Sequence, residues 1–175
     1  MIMKRHLLLL SLFVVLIDQL SKTIIALTLY HGESIKVLGD FFRITYILNP
    51  GGAFGTRIGS GTFYTLISVF AIFLGIYFFF KTKEEETWFK IGWALILGGA
   101  FGNLIDRFRF GEVLDFLDFD FFNINIPAII HLERWPVFNF ADVSVTVAMA
   151  IILWQVFFHK KQPESEAIEN EEERI

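Results

Sequence analysis

Residues 98–119 read GGAFGNLIDRFRFGEVLDFLDF, and after a Phe- and Ile-rich passage to Pro136 the chain continues VFNFAD over 137–142. This stretch starts as an apolar helical pattern and then sets Asp106, Arg107, Asp115 and Asp142 where apolar helices meet water. An ionised carboxylate at the bilayer centre costs roughly 2.5–3.5 kcal/mol on insertion scales, so Asp in such a place points first to function. The plain alternative is structural, with Asp106 and Arg107 as polar flanks of a span and Asp142 as a hydrogen-bonding residue between helices. The whole constellation, two of whose carboxylates look like an aspartyl catalytic pair, makes an enzyme the leading reading.

Around that stretch the composition describes a chain solvated largely by lipid: 54% hydrophobic residues, 22 Phe in 175 residues and a mean hydropathy of +0.55. The net charge of −4 owes much to the acidic C-terminal tail, and no basic stripe suggests nucleic acid. With no Cys there is no disulfide, thiolate nucleophile or Cys-based metal site.

Four apolar runs have spanning length, at about 7–29, 62–80, 88–105 and 137–158. The first begins like a signal peptide, with Lys4 and Arg5 before Leu7–Ile17, but apolar character resumes at Thr23 without a small-residue cleavage site, so it reads as one uncleaved helix. Inside it, Asp18 and Lys22 are four apart in the favourable acid-first order and can neutralise each other, or serve a site directly. Tyr64 and Tyr77 lie near the ends of the second run, where interfacial anchors belong. Gly98, Gly99 and Gly102 would let another backbone approach the third.

Ser34–Leu48 has the β-branched and aromatic content of short strands, and Asn49-Pro-Gly-Gly is a turn signal. Asn49 is then a turn former or a group that orients a substrate carbonyl. The fold class expected is an all-α membrane protein, four transmembrane helices with a small β-rich cradle and lid on the outer side. Residues 1–161 form a single polytopic domain and 162–175 a disordered acidic cytoplasmic tail. Lys4, Arg5, Lys81, Lys83, Lys90, Lys160 and Lys161 crowd the span ends on one side, which should be cytoplasmic. Both termini are then inside, with Asp115 and Asp142 near the outer face.

Asp142 is expected five residues into the fourth span and Asp115 about ten beyond the third, in a segment that Gly111 lets fold back. Two carboxylates sharing a site cannot both ionise easily, so one keeps a proton while the other acts as base, a pair able to activate water and protonate a peptide leaving group.

Four blocks together resemble the lipoprotein signal peptidases, or signal peptidase II: Asp18-Gln-Leu-Ser-Lys22; Asn49-Pro-Gly51-Gly-Ala-Phe54; Gly98-Gly-Ala-Phe-Gly-Asn103 with Asp106-Arg107 and Val113-Leu-Asp115-Phe116; and Phe138-Asn139-Phe-Ala-Asp142. The resemblance implies a four-helix aspartyl endopeptidase of the bacterial inner membrane, cutting signal peptides from prolipoproteins just before the cysteine that carries diacylglycerol. It implies Asp115 and Asp142 as the catalytic dyad. Asn49, Gly51, Asn103, Arg107 and Asn139 would support it or bind substrate, with Asp18 and Lys22 organising the first helix around them. The partners implied are the diacylglyceryl-modified prolipoprotein and membrane lipid; no metal or organic cofactor is expected.

The passage from Asp115 to Phe138 is longer than the family's usual pattern, and an extra outer hairpin is expected there. Asp118 and Asp120 fall in it and read as solvated. Other intramembrane proteases fit poorly: Ser60-Gly61 and His159 lie at opposite edges, His131-Leu-Glu133 is only a fragment of a zinc motif, and Gly-x-Gly-Asp is absent. The rival of another class is a small transporter or channel with a polar path through Asp18, Lys22 and Asp142. Four spans without an inverted repeat speak against it.

Overall fold

The apolar runs become helices α1 (Ile2–Thr28), α2 (Gly61–Lys81), α3 (Thr87–Phe110) and α4 (Phe140–Phe158), the four among the described residues that are long and apolar enough to cross a membrane. The computed structural model describes residues 2–51, 61–83, 85–121, 124–126, 130–132 and 134–158. The acidic tail lies outside them. Helix α3 is central and packs against the other three, whereas α2 and α4 hardly meet. Its buried share is 44%, against 17–22% for the others. The outer helices turn Leu, Ile, Val and Phe outward, as expected where lipid replaces an apolar core.

Close helix approach comes from the glycines of α3. A Cβ on Gly99 would lie 2.5 Å from the Ala141 carbonyl oxygen of α4, and one on Gly98 would lie 2.9 Å from the Ser11 carbonyl oxygen of α1. Hydroxyls fasten the same contacts: Ser11 Oγ donates to the Ala94 carbonyl at 2.7 Å, and Ser144 Oγ to the Leu95 carbonyl at 2.8 Å.

Between the helices lie β1 (Ser34–Leu38), β2 (Phe42–Asn49) and β3 (Val113–Phe119), an antiparallel sheet in that order, and a separate hairpin of β4 (Ile124–Ile126) and β5 (Ile130–Leu132). The strands expected before Asn49 and the extra hairpin are both present. The two outer segments share one sheet through β2 and β3.

Both helix boundaries nearest the site differ from the hydropathy reading. Helix α3 runs on to Phe110, because Asp106 is fully buried in the bundle rather than a flank, and it stops where Gly111 takes φ +75° and donates its N–H to the Arg107 carbonyl. Helix α4 starts three residues late, since Val137 and Phe138 stay extended and Phe138 bridges Leu117 of β3. Asp142 therefore sits in the first turn, not five residues deep. Tyr64, expected as an interfacial anchor, is buried, and Lys90, expected as a cytoplasmic flank, has no exposed surface.

Candidate active site

Antiparallel pairing sets Asp115 opposite Ile47 and Asn49 opposite Val113, so Asn49 lies one diagonal step from Asp115 on the same face. The Asn49 side-chain oxygen accepts the Gly51 N–H at 3.0 Å, which leaves its amide nitrogen to donate to Asp115 Oδ2 at 2.9 Å. Turn former and site residue are thus one role: the turn aims the amide.

Asn139 is the N-cap of α4. Its Oδ1 accepts the Asp142 N–H at 3.0 Å while Asp142 Oδ2 accepts the Asn139 N–H at 3.2 Å, a reciprocal capping box with Asp at its third position. The amide of Asn139 donates to Asp115 Oδ1 at 2.6 Å and to Asn103 Oδ1 at 3.1 Å. Asn103 in turn donates to Asp142 Oδ1 at 2.8 Å. The carboxylates of β3 and α4 are therefore linked through two asparagine amides, each of which can point only one way.

Asp115 is 2% exposed. Burial, and after it the charge of Asp142, pushes its carboxyl up to about 7, against the opposing pull of the Asn49 and Asn139 hydrogen bonds and the Lys22 charge. Arg107, one turn beyond Asn103, donates to Ser68 Oγ at 3.3 Å and acts on both carboxylates through its charge.

Asp18 and Lys22 form the ion pair expected, at 2.8 Å, but in a larger cluster. Lys22 also meets Asp106 at 2.7 Å and donates to Asn103 Oδ1 at 3.0 Å. Asp18 accepts the Ala141 N–H at the start of α4, and Asp106 accepts the Leu114 N–H beside Asp115. Gln19, which the sequence did not single out, donates to both carboxylates and to the Gly102 carbonyl. Its signal was its place inside the Asp18–Lys22 block. Enclosed and mutually satisfied, these groups make a scaffold rather than the open polar path a transporter would need.

A cavity of about 670 Å³ opens onto the pair. Asn49, Gly51, Asn103, Arg107, Asp115 and Asp142 supply its polar end, and the rest of its wall is mainly Val, Phe, Trp and Pro. Val143 and Val147, on its α4 side, are 37% and 45% exposed, so the cavity borders the outward face of a helix long and apolar enough to span a membrane. Among the described residues no group of three or more His, Cys, Asp or Glu could hold a metal.

The family profile described as Signal peptidase (SPase) II matches residues 10–158, which take in most of α1, the other three helices and every residue of the site. The chain belongs to the signal peptidase II family. Similar relatives include the lipoprotein signal peptidases of Desulforapulum autotrophicum, 38% identical over 87% of this chain and 91% of theirs, and of Moorella thermoacetica, 39% identical over 85% and 91%. Two solved structures, described as a bacterial membrane enzyme by the in meso method at 2.3 Å and 1.9 Å resolution, superpose with TM-scores of 0.76 and 0.75. Their identities are 33% and 34%, over 90% and 89% of this chain and 93% and 94% of theirs. As a signal peptidase II the protein is a multi-pass membrane peptidase, and among the described residues the sheet and the hairpin are added to the four helices.

Two residues of the long passage after Asp115 differ from expectation. Asp118 is buried, 6% exposed, because Thr45 Oγ1 donates to it at 2.7 Å and Arg134 Nε meets it at 2.8 Å. Asp120 is half-buried and pairs with the same Arg134 at 3.1 Å. No local pattern reveals that cation, which stands 16 residues beyond Asp118 and 14 beyond Asp120.

Proposed function

We propose that the chain is an intramembrane aspartyl endopeptidase of the bacterial inner membrane. It removes signal peptides from diacylglyceryl-modified prolipoproteins by cutting before the lipidated cysteine. The observation that carries this reading is the pair of carboxylates joined through Asn139 and Asn103 at the polar end of an apolar cavity bordered by the exposed valines of α4. A substrate with one foot in lipid enters such a cavity without leaving the bilayer.

With Asp115 keeping its proton near neutral pH, Asp142 is the base. Water between the two loses a proton to Asp142 and attacks the scissile carbonyl carbon, while Asp115 gives its proton to the carbonyl oxygen. The tetrahedral intermediate collapses as Asp142 returns the proton to the leaving amide nitrogen and Asp115 recovers its own from the oxygen. Asn49 and Asn139 hold Asp115, Asn103 holds Asp142, and the Arg107 charge limits repulsion when both carboxylates are ionised. The apolar walls keep bulk water away, which strengthens each of these interactions. Both termini lie in the cytoplasm on this reading, and the dyad lies near the outer face.

The test is cleavage by the purified protein of one precursor with and without the diacylglyceryl group, with the product's N-terminus read by mass spectrometry. The modified precursor should yield a fragment beginning at the lipidated cysteine. Without the lipid, turnover should fall about tenfold or more, as expected when apolar binding next to the reacting bond is lost. Equal rates would remove the lipid from the reading, and no cleavage of either would remove the reading itself.

A further inference from the structure

Between Asp120 and Arg134 the chain leaves the sheet, makes the β4–β5 hairpin and returns. Departure and return are joined at the base by one side chain. Arg134 meets Asp118 Oδ1 at 2.8 Å and Asp120 Oδ2 at 3.1 Å on the outgoing strand, and donates to the Asp40 carbonyl of the β1–β2 turn at 2.8 Å. The planar guanidinium reaches these acceptors from separate Nε and Nη1 donors in a rigid fork, a spread that the single nitrogen of an ammonium does not have. Asp118, with its second oxygen taken by Thr45, is a buried anion that holds the arginine in place.

Beyond Arg134 the chain builds the apolar wall of the cavity. Trp135 donates its N–H to the Phe119 carbonyl, and Phe138 exchanges backbone hydrogen bonds with Leu117. Phe121, on the outgoing side, stacks on Phe119 at 5.0 Å and meets Trp135 edge-on at 6.3 Å. Phe121 and Trp135 to Phe138 all line the cavity. By strand alternation Asp118 and Asp115 point to opposite faces of β3. Neither Arg134 nor Asp118 lines the cavity.

We propose that Arg134, clasped to Asp118, Asp120 and the Asp40 carbonyl, is a positioning residue that sets the Phe121–Trp135 wall and thereby selects the apolar side chains of the substrate beside the scissile bond. This rests on the peptidase reading above. Because the clasp is on the far side of β3 from the dyad, it acts on substrate binding and not on the chemical step.

The experiment compares wild type, Arg134→Gln and Arg134→Lys on two lipidated precursors that differ in one apolar residue shortly before the cysteine, alanine or phenylalanine. In Arg134→Gln the ratio of kcat/KM between the two precursors should move by about tenfold through KM, with kcat on the better one changed less than about twofold and the pH profile unmoved. Arg134→Lys should fall between. An unchanged ratio overturns the proposal, and so does a fall in kcat that is equal on both precursors. Should Arg134→Gln fail to accumulate, Asp120→Asn, which takes the charge from one half-buried contact, carries the test: its ratio should move in the same direction by about threefold, and an unmoved ratio again overturns the proposal. If wild type cuts neither precursor, the peptidase reading fails instead.

Discussion

Asp115→Asn and Asp142→Asn are each expected to lower prolipoprotein cleavage by about a thousandfold or more while the protein still folds, and the double variant should be little worse than either. Asn preserves size but can neither take the proton of water nor return it, so one substitution disables the pair. Asp118→Asn serves as the contrast: its carboxylate faces away from the cavity toward Thr45 and Arg134, and kcat should stay near wild type. A near-native rate for Asp115→Asn alongside an inactive Asp118→Asn would move the dyad.

The pH dependence is part of the same expectation. Asp115 is held protonated up to about 7, and the proposed chemistry needs that proton, so kcat/KM should decline as pH rises through about 7. Stability should change in parallel. The unfolded chain ionises Asp115 near 3.8 whereas the folded chain does not until about 7, so its contribution is fully present below the lower value and is lost as pH rises through the higher one. Wild type should therefore lose thermal stability between pH 5 and 8, and Asp115→Asn should show a flatter profile over that window. Equal slopes would mean that Asp115 is already ionised in the folded protein at pH 5.

The second large effect is expected at Lys22. Its ammonium lies 2.8 Å from Asp18 and 2.7 Å from Asp106, both fully buried. Lys22→Met strands two anions inside the bundle, and breaking a buried pair in this way costs about 3–5 kcal/mol. A steep drop in thermal midpoint or in accumulated protein is the expected reading. Replacing all three charges together, with Asp18→Asn, Lys22→Met and Asp106→Asn, should restore most of the stability, because the desolvation cost leaves along with the attraction. Activity should return only in part, since the Asn103 oxygen keeps the Asn139 donor but loses that of Lys22. A triple variant as unstable as Lys22→Met would show that shape, not charge, makes the cluster necessary.

Four spans were legible in the sequence because lipid exposure demands long apolar runs, a local property of composition. The β-strands before Asn49 and the Asp18–Lys22 pair were legible for the same reason, since alternation and four-residue spacing act over a few residues. The family blocks singled out Asp115, Asp142 and the asparagines as candidates, but no spacing says which amide faces which oxygen. That was decided by the β2–β3 register, which sets Asn49 diagonal to Asp115, and by Asn139 capping a helix that starts three residues later than hydropathy suggests. The αL turn at Gly111 and the approach of Gly99 to Ala141 then bring β3 and the start of α4 together. Burial of Asp118 and Asp106 was likewise invisible, because each depends on a cation supplied from elsewhere in the chain, Arg134 and Lys22. The sequence by itself determined the helices, their glycine seams and the residue types of the site. Only the tertiary structure decided which carboxylates are bridged by asparagines and that Asp106 and Asp118 meet cations from distant segments, since burial and charge pairing depend on distances between segments far apart in the chain.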